Sequence, residues 1–491
     1  MRILSRRRMR NILGVLFVII TVAIAIRCIV QFQMNKEINY YRKYFRTQKD
    51  KLIGIYNPLE IKQIPEETID SLYNKRIMDL QGTGETIDWS KFAYVNYVTD
   101  ATYLCNTLIM FDDLRNKYGT KAKLVLLVSK DLLEEGGFDD VERNRALLDK
   151  IKLLDENQVV VKLVDNIIKP KDFTPWNQSL TKLLVFNETD YERIIYLDND
   201  ALIKNNLDEL FFLPAYINFA APLTYWFLSD HDMTKAYKEI KHENKVSTSL
   251  LPYVKKLEAR IRNNKMIYNH LPSLPNSLFM GSNNVAQEIL DSTSSASPLF
   301  NFRSNKKVSK VKFASNLMVI KPSAELFDKI VTELLPLVID EKEKYDMDLI
   351  NEELYNLKKL IYYQFDLFRR LKTKFVPDVL VLPFARYGLL SGSIRNKDQH
   401  NIIVNDILGY KRLDQTGAAI EKELRHSVQD AKYVHFSDYP IGKPWNYQSM
   451  DELECKVTGK HTKNAEENTQ ICQLWHSIYE TYMVEHNICV A

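Results

Sequence analysis

The sequence predicts an α/β fold: a Rossmann-like, mostly parallel sheet with helices on both faces. Two observations predict it. From Phe92 onward, short apolar runs alternate with helical stretches, the rhythm of parallel strands joined by helical crossovers. One run, Arg193 to Leu197, ends in two carboxylates one residue apart, Asp198 and Asp200. Open α/β sheets bind their ligands beyond the carboxyl ends of such strands. The rhythm then breaks over 223–310, which is rich in Lys, Asn and Ser and reads as an insertion projecting over the site.

The N-terminus comes first. Residues 1–10 hold Arg2, Arg6, Arg7, Arg8 and Arg10 and no acid, a predicted cytoplasmic tail. Ile12 to Ile26 is an unbroken uncharged run, and Cys28-Ile29-Val30 extends it past Arg27. A bilayer span needs about 20 apolar residues, or roughly 17 at minimum. Residues 11–30 reach that length if Arg27 snorkels to the far interface. No small-residue cleavage pattern follows Val30, so the reading is an uncleaved transmembrane signal-anchor with its N-terminus in the cytosol. The bulk of the chain is then lumenal, as in a single-pass type II protein, and so short a span suits a Golgi membrane. The sequons at Asn177 and Asn187 agree with a lumenal site and offer N-glycosylation.

Residues 31–88 are polar and charge-rich and read as a lumenal stem. Gly82-Thr83-Gly84 near its end precedes the first strand instead of following it, so it is no dinucleotide motif. The catalytic domain is expected over 89–491. Strands are expected at 92–98, 124–128, 159–164, 193–197, 217–221, 313–320 and 431–436. Thr99-Asp100 caps the first helix, 179–186 is a helix carrying Lys182, and 324–338 and 349–368 are helical.

At 45% apolar and 26% charged, 491 residues bury a sizeable core. A net charge of +4 is too weak for a nucleic-acid binder. Cys28 lies in the first apolar segment, leaving Cys105, Cys455, Cys472 and Cys489. No zinc spacing occurs among them. A lumen permits disulfides. A pair among the three C-terminal cysteines leaves one over unless it reaches Cys105, and the pairing stays open. Two Asp at i and i+2 supply hard oxygen ligands to one divalent cation, of the kind that keeps positions open for phosphate oxygens. An Asp-Asn-Asp turn can equally be a plain capping loop.

Several blocks in order carry a resemblance. They are Phe92–Tyr103, Thr181-Lys182-Leu183, Ile195–Asp200, Asp208–Phe211, Ala220–Pro222, Phe313–Asn316, Asp346–Asn351, Leu382–Phe384, Val434–Phe436 and Lys443–Trp445. Together they resemble the glycogenin-like glycosyltransferases of family 8, with a GT-A-type nucleotide-diphospho-sugar transferase fold. With the anchor and insertion, the chain resembles the fungal Golgi α1,2-N-acetylglucosaminyltransferases of that family. Asn316 stands where glycine is frequent and Met347 where Gln is frequent, which implies a donor or acceptor other than glycogenin's.

That resemblance implies the roles. Asp198, Asp200 and His435 hold Mn²⁺ on the diphosphate of UDP-N-acetylglucosamine. Lys443 neutralises the leaving diphosphate, Tyr97, Thr99 and Tyr103 surround uracil and ribose, and Lys182 and Asp346 face the donor sugar. The acceptor is a mannose-containing N-glycan, and transfer retains anomeric configuration. Taken alone, His435 is a packed histidine at a strand end, Lys182 a helix-face lysine and Asp346 a helix cap. A haloacid-dehalogenase-type phosphatase fits less well, because Ala201-Leu202 follow where a hydroxyl residue is needed. UDP-glucose or UDP-galactose as donor, and a non-catalytic sugar-binding relative, remain the alternatives.

Overall fold

The Val- and aromatic-rich run Phe92–Val98 forms β1, and β2 (Lys123–Ser129), β3 (Val159–Val164) and β4 (Arg193–Leu197) arise from similar runs. The computed structural model describes residues 13–26, 28–29, 32, 36, 61–134, 137–170, 172–243, 251–279, 309–357, 378–405, 417–459 and 465–490. Its main sheet has seven strands in the order β3-β2-β1-β4-β7-β6-β8, with β6 at Phe219–Ala221, β7 at Leu317–Ile320 and β8 at Val379–Val381. β1 pairs in parallel with β2 and β4, β2 with β3, and β6 with β8. β7 runs against both of its neighbours, so the sheet is mixed.

Side chains alternate across the sheet as the pleat requires. Along β4, Ile194 and Tyr196 enter one apolar core while Ile195 and Leu197 enter the other. Helices α2 (Ala101–Asp112) and α3 (Phe138–Leu153) follow β1 and β2, and Asp100 caps α2 by accepting from the Thr102 N–H at 2.9 Å. A second sheet orders β5 (Ala201–Ile203), β10 (Tyr433–His435) and β9 (Leu389–Leu390). β10 lies antiparallel to β5 with His435 opposite Ala201.

The packed domain starts before the expected boundary at 89. Ile61, Ile64 and Ile69 are buried, and the Ile64 N–H donates to Val381 O at 3.1 Å, covering the β8 edge. Helix α1 (Glu66–Thr83) follows, its Asp70 held by both Arg386 guanidinium nitrogens at 2.9 Å. Isolated isoleucines in a charged stretch carry no strand or helix period, which is why the segment reads as stem. Gly84 closes α1 at φ 73°, and its N–H donates to the carbonyls of Gln81 and Leu80. A residue without Cβ fits that left-handed C-cap. Of the expected stem, 37–60 lies outside the described residues.

Within the described part of the insertion, the stretch around Tyr268 lies against β8. Helices α4 (Asp230–Glu243) and α5 (Leu251–Arg262) occur there, and Leu257 and Ile261 of α5 enter a core. The Tyr268 hydroxyl donates to Val379 O at 3.0 Å, and the Leu274 N–H to Ile61 O at 2.8 Å. Residues 244–250 and 280–308 lie outside the described residues, as does the expected helix beyond 357.

Cys105 on α2 is bonded to Cys489, and Cys455 to Cys472 on α6 (Ala465–Glu485). Residues 13–26 are helical, with Phe17, Ile19 and Ile24 exposed. Among the described residues, no helix is long and apolar enough to cross a membrane. Much of the expected anchor's flank lies outside them.

The β8-edge packing sets an expectation for truncation. Burial of each isoleucine contributes roughly 1.5–3 kcal/mol. A fragment starting at residue 61 should melt like the full chain, whereas one starting at 89 should melt lower or precipitate. Equal melting of the two by calorimetry would show that 61–88 adds nothing to the domain.

Candidate active site

The site forms where β4 ends. The Asp198 N–H donates to Asn316 O at 2.8 Å, at the start of β7. The Asn199 side chain turns inward, its Nδ2 donating to Tyr97 O at 2.6 Å and its Oδ1 accepting from Thr107 at 3.3 Å. With the middle of the triplet locked, both carboxylates project to one place. The Phe436 N–H donates to Asp200 O at 2.9 Å, and the β5–β10 ladder brings His435 against Asp200. Ligand atoms of Asp198, Asp200 and His435 all lie within 4.8 Å of one another.

Two lysines and a third carboxylate complete the cluster. Lys182, buried on the 3₁₀-helix Ser179–Asn187, reaches Asp198 Oδ1 and Asp346 Oδ2 at 3.0 Å each. Ser315 donates to Asp346 Oδ2 at 2.8 Å. Lys443 Nζ lies 2.6 Å from Asp200 Oδ2. The Tyr196 hydroxyl donates to Asp198 Oδ1.

Burial opposes every charge here, and the pairs decide which survive. Burial pushes the Asp198 carboxyl up against the pull of Lys182. It also presses on Asp200, but Lys443 and, when protonated, His435 outweigh it and hold that carboxyl below its usual range. Lys182 loses by burial but is held charged by Asp198 and Asp346. Burial holds the His435 imidazole below its ordinary pKa, so it stands neutral at pH 7.

The residues fit a divalent cation. Three carboxylates face two ammonium groups, which leaves the cluster net negative. His435 Nδ1 sits 3.3 Å from Asp200 Oδ1 yet is buried without a hydrogen bond, the state of an imidazole nitrogen with a lone pair to give. Two carboxylates and a neutral imidazole are a suitable donor set for Mn²⁺ or a similar ion.

Of the predicted nucleotide contacts, Tyr97 and Tyr103 line the rim. The Tyr97 ring lies 6.2 Å from that of Tyr196, and Tyr103 meets Trp445 edge-on at 6.0 Å. Burial raises both phenols, so both stay protonated. Thr99 is half-buried on the loop before Asp100, and no hydrogen bond joins it to the cluster among the described residues. Tyr196, Ser315 and Asn199 escaped sequence reading. Tyr196 precedes Asp198 by two residues, and Ser315 precedes Asn316, so both were in view.

Comparison with known proteins assigns the chain. No protein-family model matches it. The Saccharomyces cerevisiae protein named glucose N-acetyltransferase 1 is 59% identical over 490 residues, covering 100% of both chains. The chain belongs to the glucose N-acetyltransferase 1 family. The Candida glabrata glucose N-acetyltransferase 1 is 54% identical, over 100% of this chain and 97% of its own. Glucose N-acetyltransferase 1-B of Kluyveromyces lactis is 46% identical, over 99% of each. Among solved structures, the bifunctional glycosyltransferase WbbM aligns over 84% of this chain and 58% of its own, at 14% identity and TM-score 0.37. For this glucose N-acetyltransferase 1 family member, the site rests on its own geometry.

The shared lysine gives a stability test. Lys182→Met leaves Asp198 and Asp346 buried without their cation, and loss of the lysine's pull lets burial push the Asp198 carboxyl further up in the folded state. A carboxyl raised above its unfolded value stabilises at low pH and loses that contribution as pH rises through the folded value. The variant should be less stable by about 3–5 kcal/mol near neutral pH. The deficit should shrink as pH falls toward about 5, in denaturation of metal-free protein. Equal stability at neutral pH would contradict the buried pairing.

Proposed function

We propose that this chain transfers N-acetylglucosamine from UDP-N-acetylglucosamine to mannose side chains of N-linked glycans, with retention and in α1,2 linkage. It does so as a GT-A-type enzyme held in the Golgi membrane by a single type II span. The observation that carries the reading is the convergence of Asp198, Asp200, His435 and Lys443 beyond the end of β4. The relatives' name, glucose N-acetyltransferase 1, supports an N-acetylated glucose as the group transferred. The helical apolar stretch at 13–26 supports the anchor, and the exposed Asn187 supports a glycosylated lumenal face.

Asp198, Asp200 and His435 would hold Mn²⁺, which when bound neutralises charge on the diphosphate. Lys443, one-third exposed beside Asp200, offers a further positive charge to the leaving group. Tyr97, Thr99 and Tyr103 take the uridine side. Lys182 and Asp346 meet the donor sugar, and Ser315 fixes the Asp346 carboxylate by its hydrogen bond. No general base is assigned among these residues, because each carboxylate is engaged by a cation. In a front-face route, the bond from the anomeric carbon to phosphate breaks and the bond to the acceptor oxygen forms on the same face. The leaving phosphate then takes the acceptor's proton.

The decisive experiment offers full-length chain in detergent UDP-N-acetylglucosamine, UDP-glucose and UDP-galactose with mannose oligosaccharides, with and without Mn²⁺. Transfer of N-acetylglucosamine, dependent on Mn²⁺, is expected. Asp198→Ala and Asp200→Ala should each reduce it at least about a hundredfold, the scale of several kcal/mol of charge stabilisation. Transfer of glucose or galactose alone would refute the donor. Absence of metal-dependent turnover with every UDP-sugar would remove the transferase reading.

A further inference from the structure

Beside Asp346 lies an exposed aromatic ledge that no role above uses. Phe173 is 98% exposed and Trp176 62% exposed, on the uncharged strip Phe173-Thr174-Pro175-Trp176. Trp176 meets the ring of Tyr345 edge-on at 5.9 Å, and Thr174 Oγ1 lies 3.1 Å from the Tyr345 hydroxyl. Tyr345 is joined by one peptide to Asp346, whose carboxylate lies 3.0 Å from Lys182 in the cluster.

The strip is exposed but firmly held. Lys169 is buried at its base and donates to the carbonyls of Val338, Ile339 and Glu341 at 3.0, 3.3 and 2.7 Å. Its N–H donates to Asn177 O at 2.9 Å, closing the loop, and its ammonium lies 5.7 Å from the Tyr345 ring centre. Asp172 accepts from the Thr174 N–H at 2.9 Å. Large rings kept in water on a fastened loop are a preorganised surface, because little entropy is lost when something settles on them.

We propose that Trp176 and Phe173 form the acceptor subsite, where a mannose ring of the acceptor glycan stacks beside Asp346. The C–H face of a sugar is weakly positive and suits the negative face of an aromatic ring. The acceptor is uncharged, as the strip is. This rests on the transferase reading above and adds the place where its acceptor is gripped.

Full-length Trp176→Ala and Phe173→Ala should fold normally, because both side chains stand in solvent, and circular dichroism and melting would verify it. In Trp176→Ala the acceptor KM should rise about three- to tenfold, the scale of one aromatic contact. The kcat and the KM for UDP-N-acetylglucosamine should stay, and Trp176→Phe should restore most of the loss. Unchanged acceptor KM in both alanine variants, with active wild type, overturns the ledge and leaves the transferase reading standing. If the wild type transfers nothing, that reading fails, and saturation-transfer NMR with a mannose oligosaccharide judges the ledge alone. Signal lost in Trp176→Ala supports it, and equal signal overturns it. A variant that keeps its acceptor KM but loses self-association in the ultracentrifuge assigns the ledge to a second copy of the chain, and likewise overturns it.

Discussion

The site depends on one ammonium group shared between two buried carboxylates. Lys182 lies 3.0 Å from both Asp198 and Asp346 and is itself out of water. Each of these charges alone would be costly to bury, and removing any one would strand the others. The lysine therefore ties three segments together: the 3₁₀-helix at 179–187, the end of β4 and the start of the helix that begins at Asp346. Asn316 fastens the same point from the backbone, accepting from the Asp198 N–H and from the Tyr433 hydroxyl at 2.9 Å. Placement of the carboxylates is thus set by the sheet, and their charge balance by the lysines.

Much of this was legible in the sequence, for a physical reason. Parallel strands buried on both faces are written as continuous apolar runs, so β1 to β4 stand out. Carboxylates at the end of such a run stand out too. His435 was reachable only through family resemblance, since pairing of β10 with β5 leaves no local trace. The reversed β7 was illegible, because a short apolar strand reads the same in both directions. The isoleucines at 61, 64 and 69 were illegible because each fills a separate gap without any period. Disulfide pairing depends on chain path, and Cys105–Cys489 spans 384 residues. Tyr196 shares its strand face with Asp198 by alternation, which lets its hydroxyl donate to that carboxylate.

Family membership and geometry meet at different levels. Near full-length identity places the chain among the glucose N-acetyltransferase 1 proteins. The geometry says what such a chain has to work with: a negative cluster suited to a divalent cation, a lysine at its mouth and tyrosines along one rim. Those features favour a diphosphate ligand.

Pairing of β10 with β5 has a consequence for biosynthesis. Ribosomes deliver a chain from its N-terminus, and early segments can fold before later ones exist. Asp198 and Asp200 emerge long before His435 and Lys443, so the carboxylates wait without imidazole or second lysine until β10 docks. A chain interrupted anywhere in between carries the conspicuous acidic triplet but lacks the partners gathered around it in the finished fold. Enzymatic competence, on the reading above, is a property only of chains synthesised past Lys443, and nascent or prematurely ended copies are silent by construction.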